Sequence, residues 1–177
     1  MHKIKPNLWF DKQAKEAAEF YVSLLSSVNT QAHSKINYVK TLRNTPSGDT
    51  DIVDFELAGH PFMAISAGPL FKFNPSISFI LNFDPSRDKD AKTKIDKLWE
   101  KLSKAGEILI PIQKYQFSEH YGWLKDKFGV SWQIVPSIMN EMIKNGSQQQ
   151  IDRVTQAFLP MKKIIITDLE KAYKGGD

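Results

Sequence analysis

Cysteine is absent from all 177 residues, so disulfides, thiolate zinc sites and thiol nucleophiles are excluded and stability must come from packing. No run approaches the roughly 18 apolar residues that a membrane-crossing helix needs, and the opening Met1-His2-Lys3-Ile4-Lys5-Pro6 leads into no apolar signal core. We therefore expect a cytoplasmic protein with no membrane partner. Blocks of one charge sign are also missing. The 24 Lys and Arg residues against 20 Asp and Glu give a net charge of only +4, and acids and bases interleave in stretches such as Asp88 to Lys104, as on a solvated helix face. Without a basic stripe set among stacking aromatics, nucleic acid is not an expected partner. The chain has no Gly-rich strand-to-helix loop followed by a ribose-binding acid, no phosphate loop and no Gly-x-Ser-x-Gly elbow. Those absences leave a nucleotide cofactor, a phosphate cradle and a serine hydrolase without their usual sequence marks.

What is present is enough apolar residue, 41% of the chain, to bury a sizeable core. Ile4 to Phe10 reads as a strand, and from Asp11 onward Ala14, Ala17, Ala18, Tyr21 and Leu25 recur at helical spacing. Ile36 to Leu42 and Asp51 to Leu57 alternate as strands about the turn residues Thr45-Pro46-Ser47-Gly48. Ala58-Gly59-His60 turns into a last strand, Pro61 to Ser66, where the proline is tolerated only at the start. The unit so completed is βαβββ.

The pattern then restarts. Ile77 to Phe83 is a strand, Asp88 to Lys104 is an amphipathic helix with Ile95, Leu98, Trp99 and Leu102 on its buried stripe, and Gly106 is expected to stop it. Glu107 to Ile112, Gly122 to Lys125 and Val130 to Val135 are three more strands, with Lys127-Phe128-Gly129 turning into the last. Phe10-Asp11 before the first helix answers Phe83-Asp84 before the second, and Gly59-His60-Pro61-Phe62-Met63-Ala64 answers Gly129-Val130-Ser131-Trp132-Gln133-Ile134. The fold class is accordingly α+β, with two fused βαβββ modules over residues 1–70 and 71–136. A helical C-terminal extension, 137–177, is expected to pack on them as three short helices split near Gly146 and Pro160. Met139, Met142 and Met161 read as adaptable core or interface fillers.

Several ordered motifs resemble the PhnB-like branch of the vicinal oxygen chelate (glyoxalase and bleomycin-resistance) superfamily. They are Pro6-Asn7-Leu8-Trp9-Phe10-Asp11 leading to Ala17-Ala18-Glu19-Phe20-Tyr21, Phe71-Lys72-Phe73-Asn74 before Ser76-Ile77-Ser78-Phe79, and Phe117-Ser118-Glu119-His120-Tyr121-Gly122-Trp123-Leu124-Lys125-Asp126. The most specific is Lys127-Phe128-Gly129-Val130-Ser131-Trp132-Gln133-Ile134-Val135-Pro136, and Met161-Lys162-Lys163-Ile164 with Leu169-Glu170-Lys171-Ala172-Tyr173 continues the likeness into the tail. The resemblance implies strands curled into an incomplete barrel around a small-molecule cavity, in a homodimer. In metal-dependent members, side chains from the first and fourth strands bind a divalent cation that stabilises developing oxyanion charge.

Carried onto this chain, the ligand positions fall at Asn7 (or Pro6), Met63, Ser76 and Gln133. Only Gln133 matches a metal ligand, because a methionine thioether is too soft for the hard or borderline ions of this chemistry. A divalent metal is therefore disfavoured, and the cavity is expected to present Gln133, Ser131, Asn7, Met63, Ser76 and Trp9. The remaining donor cluster, Ser118-Glu119-His120 between Tyr115 and Tyr121, makes His120 and Glu119 the candidate catalytic groups, His120 as an acid or base near neutral pH. Asp126 reads as a turn-capping carboxylate, Trp132 as a core residue facing a helix, and Trp9 and Trp123 as either core or cavity. His2, His33 and His60 read as structural or incidental. Demethylubiquinone methyl transfer, often attached to this branch, lacks a cofactor loop here. Three functions remain in competition: a small-molecule-binding protein of unassigned activity, a divalent-metal lyase, isomerase or dioxygenase, and a non-catalytic dimerising or regulatory module.

Overall fold

The computed structural model describes residues 4–28, 33–84, 88–112, 121–159 and 166–176. They form two compact units, Met1–Asn74 and Pro75–Asp177, each built around one open four-stranded sheet of mixed direction.

In the first unit the order is β1 (Asn7–Phe10), α1 (Ala14–Ser26), β2 (Lys35–Thr45), β3 (Gly48–Leu57) and β4 (His60–Ser66), arranged in space as β1-β4-β3-β2. β1 runs parallel to β4 and the other neighbours are antiparallel. Strand alternation sends Leu8, Phe10, Val53, Phe55, Leu57, Phe62 and Ala64 to one face, where all are buried. Ala14, Ala17, Ala18 and Tyr21 of α1 are buried as well, and the three small alanines let the helix approach the sheet closely. Ser66 completes the junction, its hydroxyl accepting from the amide of Ala14 at 3.1 Å and so serving one of the orphan donors at the helix start. Among the described residues, the opposite face of this sheet carries no helix of its own unit.

The second unit repeats the plan with β5 (Phe79–Phe83), α2 (Ala91–Ser103), β6 (Glu107–Ile110), β7 (Gly122–Lys125) and β8 (Ser131–Pro136), in the order β5-β8-β7-β6. Ile95, Leu98 and Leu102 of α2 are buried together with Leu124, Trp132 and Ile134. Gly122 shares their face, and a Cβ there would lie 2.5 Å from the Trp99 ring, so a side chain would push α2 off the sheet. Gly59 and Gly129 both adopt positive φ, +80° and +85°, at the turns into β4 and β8. The duplicated glycines thus answer one backbone requirement met twice.

The extension clusters with the second unit. Its helices are α3 (Ser137–Asn145), α4 (Gln148–Phe158) and α5 (Ile166–Lys174). Ser147 caps α4 in a reciprocal box with Gln150, and the Ser137 hydroxyl donates to the Phe83 carbonyl at 2.7 Å, tying the start of α3 to the end of β5. Met142, Val154 and Leu169 form a small core of their own, against which Tyr121, Ile138, Ala157 and Tyr173 pack. One expectation is corrected. Gly106 is not the left-handed residue that ends α2; Ala105 takes that role at φ +58°, and the glycine instead lets the helix end approach the backbone of β7. No described helix is long and apolar enough to cross a membrane.

Candidate functional site

Alternation in β1, β3 and β4 fixes what the helix-free face of the first sheet presents. Parallel register sets Asn7 beside Met63, antiparallel register sets Met63 beside Asp54, and Asp54 beside Tyr38, giving one row across all four strands. Tyr38 remains 44% exposed, whereas Asp54 is buried. Its carboxylate is answered on both oxygens: Lys5 Nζ donates to Oδ2, and Asn37 Nδ2 donates to Oδ1 at 2.8 Å. Trp9 lies two residues from Asn7 on the same face. Its indole N–H donates to the Gly68 carbonyl at 2.8 Å and its ring meets Phe71 edge-on at 5.0 Å, so it pins the segment that follows β4.

The ion pair sets the titration of this face. Burial pushes the Asp54 carboxyl up, but the bonds from Lys5 and Asn37 outweigh it and hold the group below its ordinary 3.8. The hydrogen bond to Asp54 holds the Lys5 ammonium above its ordinary 10.5. A lowered folded-state pKa means that the Asp54 contribution is complete above the unfolded value and is lost as pH falls through the folded one. The raised Lys5 value means the reverse at the alkaline end. Replacing Asp54 by Asn is expected to shallow the fall in Tm between about pH 4 and pH 2, read by thermal unfolding across that range; an unchanged acid limb would show that the pair adds nothing to stability.

The face of the second sheet opposite α2 is richer in hydrogen bonds. Gln133 lies between Ile80 and Trp123 in the ladder. Its Nε2 donates to the Ser78 hydroxyl at 2.7 Å and its Oε1 accepts from the Tyr121 hydroxyl at 3.3 Å. Ser131, two residues back on the same face, accepts from Trp123 Nε1 at 2.7 Å and is buried. Burial raises the pKa of the Tyr121 phenol above its ordinary 10.0, so at neutral pH it remains a donor. The face therefore joins an amide, three hydroxyls and an indole on an aromatic floor flanked by the half-exposed Ile80. That surface suits a small planar or polar molecule better than a chain of charged groups.

Of the residues singled out from the sequence, Asn7, Met63 and Trp9 share the first sheet's open face, and Ser131 and Gln133 share the second's. Ser76 lies in the turn ahead of β5, and Ser78 is the serine that reaches Gln133. Glu119 and His120 lie outside the described residues. Trp132 is on the helix side and buried, while Trp9 and Trp123, ambiguous in sequence, both lie on open faces. His33 and His60 are exposed. The Lys5–Asp54–Asn37 cluster was not anticipated. The signal was an acid at Asp54 set among the alternating Val53, Phe55 and Leu57, where a strand's two faces part.

A divalent ion at the first- and fourth-strand positions needs donors such as His, Glu or Gln. Asn7 and Met63, side by side, offer an amide and a thioether, and both ends of the Gln133 amide are already engaged. That donor set does not fit the ion. Among the described residues no three His, Cys, Asp or Glu side chains group to hold a metal. A cavity of about 230 Å³ in the extension is lined by helix residues such as Ile138, Glu141, Met142 and Tyr173, and includes none of these positions.

The sequence profile of the family described as 3-demethylubiquinone-9 3-methyltransferase matches residues 2–135. The PhnB protein from Bacillus cereus is 34% identical, the match covering 76% of this chain and 99% of that one, with a TM-score of 0.62. A protein from Pseudomonas aeruginosa superposes with a TM-score of 0.58 at 20% identity, over 77% of this chain and 98% of that one. A glyoxylase/bleomycin resistance protein/dioxygenase domain from Frankia sp. EAN1pec is similar at 13% identity and a TM-score of 0.46, over 77% and 92%. No functionally curated protein matches.

Proposed function

The chain belongs to the PhnB-like family described as 3-demethylubiquinone-9 3-methyltransferase and carries its glyoxalase fold, and on that premise we propose that it binds a small organic molecule on the sheet faces opposite α1 and α2. In this reading it works as a homodimer, as the resemblance implies, with no resident metal at the first- and fourth-strand positions. The observation that carries the reading is the open face around Gln133. There a hydrogen-bonded amide, Ser78, Ser131 and Tyr121 are held on an aromatic floor, while the residues beside the metal positions are chemically unsuited to a metal.

The methyl-transfer activity in the family's description is not carried over to this chain. Methyl donors of nucleotide type are held where a strand passes through a Gly-rich loop into a helix. Here β1 reaches α1 through Asp11-Lys12-Gln13, and residues 84–90 between β5 and α2 contain no glycine.

The test is elemental analysis of protein purified without chelator, followed by thermal unfolding with zinc, nickel, manganese and magnesium ions and with a panel of small aromatic acids, phenols and amides. We expect no stoichiometric metal and no saturable shift with any ion. One class of organic probe is expected to raise Tm in a saturable way, by the linkage that any native-state ligand obeys. Stoichiometric metal would replace this reading with that of a metalloenzyme. A flat response to the whole panel would favour a non-catalytic dimerising module.

A further inference from the structure

The extension lies beyond the matched region, which ends at residue 135, yet it reaches the open face of the second sheet through one side chain. The Tyr121 ring packs against the small core of Met142, Val154 and Leu169, and its hydroxyl donates to Gln133 Oε1. The ring is held by the helices and the hydroxyl is held toward the amide.

The consequence lies in how an amide is oriented. A glutamine carboxamide has one acceptor oxygen and two N–H donors, and its two ends are similar in size, so neighbours alone decide which end faces which way. Ser78 cannot decide it, because an aliphatic hydroxyl donates and accepts with comparable ease. A phenol can, because conjugation with the ring makes its oxygen a poorer acceptor and its O–H a better donor. With Oε1 turned to Tyr121 and one N–H given to Ser78, a second Nε2–H has no partner among the described residues.

We infer that the C-terminal helices act as an orienting device for Gln133, through Tyr121, and that the amide so fixed presents a single N–H donor that selects ligands bearing an acceptor oxygen, a carboxylate or a carbonyl. Tyr121 is a positioning residue in this scheme, and Gln133 is the group that touches the ligand. The inference rests on the small-molecule reading above and adds a ligand class and a reason for the extension.

The experiment follows the Gln133 side-chain NH2 pair by ¹⁵N–¹H correlation in the full chain, free and titrated with benzoate or with benzylammonium. The two probes share a ring; one offers only acceptors and the other only donors. Benzoate is expected to move the Gln133 pair and benzylammonium to leave it in place. Tyr121→Phe keeps the ring in its packing and removes only the hydroxyl. It is expected to shift the Gln133 pair in the free protein and to weaken benzoate by roughly five- to tenfold, the worth of one hydrogen bond, with the preference over benzylammonium narrowed. Leu169→Ala, or the milder Met142→Ala should the first unfold, is expected to shift the pair in the same direction while Tyr121 keeps its hydroxyl. Benzoate binding equally to wild type and Tyr121→Phe would overturn the orienting role and leave the small-molecule reading intact. A Gln133 pair unmoved by both core variants would overturn the part given to the helices. No binding of either probe to wild type, with the pair still shifted in free Tyr121→Phe, would confine the loss to the ligand reading and the acceptor selectivity built on it.

Discussion

Asp126→Ala is expected to destabilise the second unit by about 3–5 kcal/mol, because one carboxylate there serves three donors and water reaches few of them. Asp126 is only 3% exposed. Its Oδ1 accepts from the amides of Phe128 at 2.9 Å and Val130 at 3.0 Å, and its Oδ2 accepts from Trp132 Nε1 at 2.9 Å. Val130 and Trp132 are themselves buried, so truncation takes from an amide and an indole N–H the carboxylate oxygen that each donates to. Each such loss costs about 1–3 kcal/mol, and the turn that joins β7 to β8 loses its internal brace as well. Asp126→Asn separates charge from geometry. Its single oxygen serves either the two amides or the indole but not both, so a loss smaller than that of alanine is expected. Urea unfolding followed by tryptophan fluorescence and far-UV circular dichroism measures both. A loss below about 1 kcal/mol for alanine, the level of an ordinary surface substitution, would mean that water replaces the carboxylate and that the turn is not built on it.

The role of Asp126 was legible in the sequence as a turn carboxylate before Lys127-Phe128-Gly129, but its depth was not. What sequence shows at a turn is the local Asx geometry, in which an acid accepts from amides two and four residues on. The third bond goes to Trp132, and it exists because β8 returns beside β7 with Trp132 on the helix side. The strands and helices themselves were readable for a similar local reason. Period-two and period-3.6 patterns over Asp51–Leu57 and Ile95–Leu102 are written in consecutive residues, and the repeat of Phe10-Asp11 by Phe83-Asp84 marked the ends of two equivalent strands.

The site was less legible because its contacts run across strands. Placing Gln133 and Ser131 on one face follows from alternation, but telling that Ser78 rather than Ser76 reaches Gln133 requires the register of β5 against β8. A parallel pairing with no turn to set it leaves that register open. Lys5–Asp54 was hidden in the same way, since 49 residues separate the partners. The tie between Tyr121 and the extension was hidden for a further reason. The periodicity of a short amphipathic helix says which side is buried and not what it is buried against.

Gly106 shows the same division between local and distant causes, and it yields a pair of opposite expectations. Sequence logic gives a glycine after a helix the task of adopting positive φ, but here Ala105 stands at φ +58° and Gly106 carries no positive φ. The glycine is needed because the end of α2 touches β7: a Cβ at 106 would lie 2.3 Å from the Lys125 carbonyl oxygen and 3.2 Å from the Asp126 Cα. Backbone cannot rotate out of the way as a side-chain tip can. Gly106→Ala is therefore expected to cost about 3 kcal/mol, the upper end of what an inserted methyl costs in a packed site. It should also loosen the Asp126 turn that begins at the same contact. Ala105→Gly removes a left-handed strain of about 1–2 kcal/mol and gives part of it back through the freer unfolded chain, for a net gain of about 0.5–1 kcal/mol. Adding a methyl at 106 and removing one at 105 thus act in opposite directions for unrelated reasons, one steric and one conformational. Measured by urea unfolding, a destabilised Gly106→Ala beside a stabilised Ala105→Gly would establish that α2 closes on β7 as tightly as described. A neutral Gly106→Ala would show that the helix end has room to retreat from the sheet that carries Gln133.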